Sequence, residues 1–283
     1  MKTLLVLLLL IVALGAGLLA LRSRKQVIRS APAALNSDSP VDSHTAARRA
    51  LCLASLVLRA QAEYQLHPEP GDIPPQGKAA PADFALRQNS WLQNGDLWSA
   101  CSARERELFQ RAMGSWTRQE TADGQWREES LGVLWWALDG SRVFLPYDVP
   151  AAQTDVLRGV PDPSAARAFI EEAKLRDIKE IGKQRDIAEL WLWRARTTQL
   201  QRDKAEAPKG LTFEQIIAMT AEKAAGDNVF KPIGNDFPAL GKPYSRLTET
   251  EWQTMRSIAE ERLYVLNWLC GRSTDWDSVK TDT

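Results

Sequence analysis

Residues Gln125 to Leu138 read QWREESLGVLWWAL. Apolar side chains fall nearly all round this helical stretch rather than on one stripe. A helix without a polar face has to be covered on every side, so the spacing predicts a central helix with others packed about it. Upstream, Ala47, Ala50, Leu51, Ala54 and Leu58 recur at helical spacing. Ser102-Ala103-Arg104-Glu105 has the form of a capping box and opens a helix running toward Trp116. Downstream, Pro163 to about Arg202 reads as two helices with a bend near Gly182, and Thr212-Phe213-Glu214-Gln215 caps another. Thr248-Glu249-Thr250-Glu251 opens a last long helix that ends at Cys270 before Gly271, a natural helix-terminating residue. Between these lie a Pro- and Gly-rich loop from His67 to Pro81, a Pro-punctuated connection from Val143 to Pro150, and a loop from Val229 to Pro243. No strong alternation of strand type appears. The expected fold class is all-α, a single globular multi-helix domain over 43–283.

The N-terminus reads differently. Leu4 to Leu21, LLVLLLLIVALGAGLLAL, is an unbroken apolar run of 18 residues, about 27 Å long as a helix and close to the thickness of the hydrocarbon core. Arg22, Arg24, Lys25 and Arg29 follow it, against Lys2 alone before it. The expectation is a retained single-pass transmembrane helix with its basic flank (1–29), in the plasma membrane, and the positive-inside rule places the C-terminal domain in the cytoplasm. Residues 30–42, SAPAALNSDSPVD, read as a tether. The alternative is a periplasmic domain, either after cleavage of a secretory signal with Ala13-Leu14-Gly15 as its small-residue site or on an anchor whose N-terminus stays inside. Against cleavage, the apolar run continues past the site.

Composition excludes several chemistries. Lys plus Arg and Asp plus Glu are both 36, giving zero formal net charge, so bulk charge does not attract a nucleic acid. With two histidines and three cysteines, a dedicated zinc site and a disulfide framework are disfavoured. Cys52, Cys101 and Cys270 read as unpaired, which fits a reducing compartment. No GxSxG, HExxH, P-loop or CxxC is present. No metal or other cofactor is expected.

Four segments together carry a resemblance. They are Trp126-Arg127-Glu128-Glu129 with Leu131 to Leu138; Asp236-Phe237-Pro238 with Gly241-Lys242-Pro243; Glu261-Arg262 with Leu266-Asn267-Trp268-Leu269; and Trp276-Asp277 with Val279 and Thr281-Asp282-Thr283. The chain resembles the DUF4272 family, a bacterial domain of unknown function, over roughly 45–283. The resemblance implies a domain type but brings no activity, cofactor or catalytic residue.

Three arginines occupy positions where apolar residues belong. At about 100° per residue, Met255, Ile258, Ala259, Val265, Leu266 and Leu269 form one arc of the last helix, and Arg262 falls in its middle. Arg194 lies among Ile187, Leu190 and Trp191, and Arg127 shares a face with Leu131, Leu134 and Leu138. A buried guanidinium has to be paired, and Glu128, Glu129, Glu189, Glu260, Glu261 and Asp236 are the candidate acceptors. Two readings follow. In one, these pairs lock helices together. In the other, Arg127, Glu128, Arg194, Asp236, Arg262 and Asp277 line a pocket that clamps an anionic group. Trp276 suggests a docked tail, with Asp277 either covering the core or bordering that site. The functional expectation is a non-enzymatic module that binds a protein partner at the membrane, an immunity-type protein that neutralises a toxin being one form. The alternative is an enzyme or small-anion sensor using the Arg/carboxylate pocket.

Overall fold

The computed structural model describes residues 40–67, 84–208 and 210–282. The expected anchor Leu4–Leu21, its basic flank, nearly all of the tether, most of the His67–Pro81 loop and Thr283 lie outside the described residues. Among those described, no helix is long and apolar enough to cross a membrane. The domain is mostly helical, and its contacts divide it into two compact units.

The larger unit comprises Asp38–Ala188 and Ser257–Thr281. Its first helix, α1 (Ser43–Leu66), starts at Asp42, whose side chain accepts from Thr45 N at 2.9 Å. Ala46, Ala47, Ala50, Leu51, Leu53, Ala54 and Ala60 on it are all fully buried. Most of these are alanines, so a neighbouring helix can approach closely. That neighbour is the helix anticipated from Gln125–Leu138, here α4 (Arg118–Leu138). At the closest approach, a Cβ on Gly124 would stand 2.7 Å from Ala60 Cβ. The sequence therefore contains two central helices, α1 as well as α4. α4 also begins seven residues before Gln125, because Thr117 and Glu120 form a capping box that sets its start.

Between α1 and α4 run α2 (Phe84–Asn94) and α3 (Ala103–Gln110). The Ser102–Glu105 capping box is present, but α3 ends at Gln110, short of Trp116. After α4 come α5 (Gln153–Leu157), α6 (Ala166–Glu171) and α7 (Ile178–Arg202), with α7 leaving this unit after Ala188. The expected bend at Gly182 does not occur. The break falls at 172–177, where Asp177 Oδ1 accepts from Lys179 N at 2.7 Å and caps α7. A Cβ on Gly182 would meet nothing within 4 Å, so the glycine is an ordinary helical position. The unit closes with the later part of α9 (Glu249–Leu269). That helix ends in a Schellman arrangement: Gly271 has φ +74°, Arg272 N donates to Asn267 O and Gly271 N to Trp268 O.

The smaller unit is built from Glu189–Arg256. It holds the rest of α7, α8 (Phe213–Gly226), capped by Thr212 and Gln215 as the spacing predicts, and the first turns of α9. The Val229–Pro243 segment, expected as a plain loop, contains a minimal antiparallel pair, β1 (Pro238–Ala239) with β2 (Lys242–Pro243), in register Pro238 to Pro243. Leu240 and Gly241 turn it with φ of +52° and +72°, a pair of left-handed residues that suits a tight hairpin. Phe237 is fully buried and meets Trp191 edge-on at 5.5 Å and Phe230 at 4.6 Å. An aromatic cluster thus packs under the hairpin, beside aliphatic core residues such as Leu192, Ile216 and Ile217.

Candidate functional site

Each of the three stripe arginines closes on a different carboxylate. In the larger unit, Arg262 is 1 % exposed and Glu129 is 2 % exposed. Arg262 Nε donates to Glu129 Oε2 at 2.9 Å. Its Nη1 donates to the carbonyls of Leu145 and Pro146, and its Nη2 to that of Val149, at 2.8–3.0 Å. The other oxygen of Glu129 accepts from Ala151 N at 2.7 Å. The guanidinium lies 5.2 Å from the Tyr147 ring centre and 5.7 Å from that of Phe144. Burial pushes the Tyr147 hydroxyl far up, with Arg262 pulling the other way, so the ring stays neutral. One side chain from α9 and one from α4 thereby fasten both ends of the Val143–Pro150 connection, whose carbonyls have no ladder of their own.

Arg127 donates to Glu261 Oε2 at 3.1 Å and lies 4.8 Å from the Tyr264 ring centre. Ser130 Oγ reaches the same Glu261 oxygen at 2.8 Å. Burial holds the Glu261 carboxyl above its ordinary value despite Arg127 and Ser130. Glu128 joins neither pair. It is half-buried, its Oε2 is buried without a hydrogen-bond partner, and burial, with the Glu129 charge next to it, pushes its carboxyl up to about 7. Asp277 is exposed and accepts from Arg104 N at 3.1 Å, at the N-terminus of α3, where a negative charge is favoured.

In the smaller unit, Arg194 is fully buried and grips Asp236 with two parallel bonds, Nε to Oδ1 at 2.7 Å and Nη2 to Oδ2 at 2.8 Å. Asp236 also accepts from Phe237 N and Ser245 N, and so organises the hairpin loop. Burial acts to raise the Asp236 carboxyl, but Arg194 and the two amides outweigh it and hold it below its usual range. Arg194 Nη1 donates to Thr198 Oγ1 at 2.6 Å, and the guanidinium covers the Tyr244 ring at 4.7 Å.

In the larger unit Arg127, Arg262 and Asp277 are each spent on contacts of their own, while Glu128 Oε2 has no partner; in the smaller unit Arg194 and Asp236 are spent on each other. A cavity of about 20 Å³ sits beside Trp136, Phe144 and the Arg262–Glu129 pair, room for about one water. A larger open groove of about 520 Å³ runs between Leu138–Gly140 and Phe169–Arg176, and none of the six lines it. Among the described residues no group of three or more His, Cys, Asp or Glu could hold a metal ion.

Sequence reasoning missed two further buried, paired arginines and a half-buried one that binds main-chain carbonyls. Arg59 is fully buried, donates to Glu63 at 2.8 Å and to the carbonyls of Arg111 and Ala112, and faces Trp116. Arg49 pairs with Glu105, donates to Ala100 O, and stacks on Trp276 with 4.1 Å to the ring centre. Arg176 binds the carbonyls of Trp136, Asp139, Gly140 and Arg142 at the C-terminal end of α4. Arg59 and Glu63 stand four apart on a helix with little polar surface, a signal that was present. The other two depend on contacts remote in sequence. Trp276 itself is buried against Tyr264 and Trp268, and Asn267 Nδ2 holds Lys280 O. The tail covers the core, as its tryptophan suggested.

A profile of the domain of unknown function DUF4272 matches residues 29–220, well over half of the chain. The chain belongs to the DUF4272 family. No curated protein and no solved structure matches it. In this DUF4272 chain the matched stretch contains Arg127, Glu129 and Arg194 and ends within α8. Asp236, Glu261, Arg262 and the Trp276 tail, on which the resemblance also rested, lie beyond it.

Proposed function

We propose that this DUF4272 chain is a membrane-anchored, non-enzymatic module that binds a protein partner, with its helical domain on the cytoplasmic side of the plasma membrane. The observation that carries this reading is the fate of the arginines. Arg127, Arg194 and Arg262 each close on an internal carboxylate, so their charges are spent within the fold rather than offered to a substrate. A second observation supports a partner surface. Val143 is 86 % exposed, Leu145 39 % and Val149 43 %, on a segment whose backbone is fastened by Arg262 and Arg176. Apolar side chains held outward on a fixed frame lose little freedom when covered. The anchor and its orientation rest on Leu4–Leu21 and the four basic residues after it. An immunity-type role is one form of such a module.

The rival reading, an enzyme or small-anion sensor, is favoured by Glu128 alone, whose buried, unpartnered oxygen and pKa near 7 suit proton transfer. The test is recovery of the full-length chain from its own membranes, wild type beside a Val143→Glu/Val149→Glu variant with unchanged helicity. A stoichiometric protein partner lost in the variant is expected. Saturable binding of a small anion that is abolished by Arg262→Lys, with no protein recovered, would refute the proposal. Protease added from the periplasmic side of intact cells should leave the domain whole. Its digestion there would overturn the orientation.

A further inference from the structure

Cys52 and Cys101 are both buried, at 0 % and 2 % exposure. Cys52 lies on α1 and Cys101 on the turn that leads into α3. The Cys101 thiol donates to Cys52 Sγ at 3.2 Å, and Cys52 Sγ donates to Leu97 O at 3.4 Å. Two thiols 49 positions apart in sequence thus touch in the core, with only about 1.2 Å separating contact from bond length. The surrounding frame fixes them there. Arg49, one turn before Cys52, pairs with Glu105 and holds Ala100 O, and Cys101 N donates to Leu97 O. We propose that Cys52 and Cys101 are a redox couple, closed to an intramolecular disulfide by a low-molecular-weight disulfide such as oxidised glutathione and reopened by thiols.

The exchange balances without any other reactant. The Cys101 sulfur, exposed by transient opening of its turn, loses its proton to water and attacks one sulfur of the oxidant, expelling the first thiolate. The Cys52 sulfur then loses its proton and attacks Cys101 Sγ, expelling the second. Two protons leave the protein, and two electrons pass to the oxidant, which becomes two thiols. The hydrogen bond with Cys101 and then burial push the Cys52 thiol well up, so Cys52 rests as a neutral thiol and the second step is slow. The closed bond would tie α1 to the entry of α3 around a loop of about 50 residues, a constraint acting chiefly on the unfolded chain. Cys270, half-buried at the end of α9, takes no part.

The experiment treats the full-length protein in detergent with excess oxidised glutathione in sub-denaturing urea, followed by alkylation, non-reducing digestion and mass spectrometry. A Cys52–Cys101 linked peptide, a mass loss of about 2 Da and a thermal midpoint raised by about 5–10 °C are expected, all reversed by dithiothreitol. Cys270→Ser should keep every one of these changes, and Cys101→Ser should lose them. Full alkylation of Cys52 and Cys101 after oxidation, or a linked peptide that contains Cys270 instead, would overturn the proposal whatever the fate of the single variants.

Discussion

Replacing Arg262 with alanine removes the centre of a buried polar cluster in the larger unit. In the native chain this side chain holds Glu129 and three main-chain carbonyls at 2.8–3.0 Å. After the change Glu129 keeps one donor, Ala151 N, and its charge stays at 2 % exposure without a counter-ion. A buried carboxylate stripped of its partner costs about 3–5 kcal/mol. Arg262→Met fills more of the space but strands the same charge, so its cost falls in the same range. Adding Glu129→Gln to Arg262→Met removes the charge while the amide oxygen still accepts from Ala151, and the double variant should recover about 1–3 kcal/mol relative to the sum of the singles. Equilibrium unfolding of the full-length chain, followed by the fluorescence of its eleven tryptophans, measures all three. At about 2–4 °C per kcal/mol for a domain of this size, each Arg262 single substitution should lower the thermal midpoint by roughly 10 °C. A loss below about 1 kcal/mol for Arg262→Ala, the range of an exposed pair, or strictly additive costs in the double variant, would refute the buried-pair account.

Glu128 has a carboxyl pushed up to about 7 in the fold against an ordinary value of 4.5. A raised folded pKa favours the protonated fold, so the stability it contributes is present below about pH 4.5 and lost as pH rises through 7. Glu128→Gln should therefore be nearly neutral at pH 5 and stabilising at pH 8, and denaturant midpoints that shift equally at both pH values would contradict this. Gly124→Ala should destabilise by about 1–2 kcal/mol, the overlap with Ala60 outweighing the better helix propensity; adding Ala60→Gly should restore part of it, and a stabilised single variant would show that the helices are not in close contact. Trp276→Ala should cost about 3–5 kcal/mol by removing a buried ring that meets Tyr264, Trp268 and Arg49; unfolding within about 0.5 kcal/mol of wild type would mean the tail is not docked.

Sequence by itself determined what depends on neighbours along the chain. The capping residues Ser102, Thr212 and Thr248 act on amides three positions away, and Gly271 acts on its own dihedral, so the starts of α3, α8 and α9 and the end of α9 were legible. So was the demand that arginines on apolar stripes be paired, because desolvating a charge is costly in any fold. Tertiary structure alone decided which carboxylate answers each one. Glu128 and Glu129 differ by about 100° of helix rotation, and only the packing of α4 against α9 and the Val143–Pro150 connection turns Glu129 toward Arg262 and leaves Glu128 without a partner. The burial of Arg49 beneath Trp276 joins residues more than two hundred positions apart, and the Cys52–Cys101 contact joins 49. No local pattern encodes such meetings, because they arise only when helices remote in sequence exclude water from the space between them.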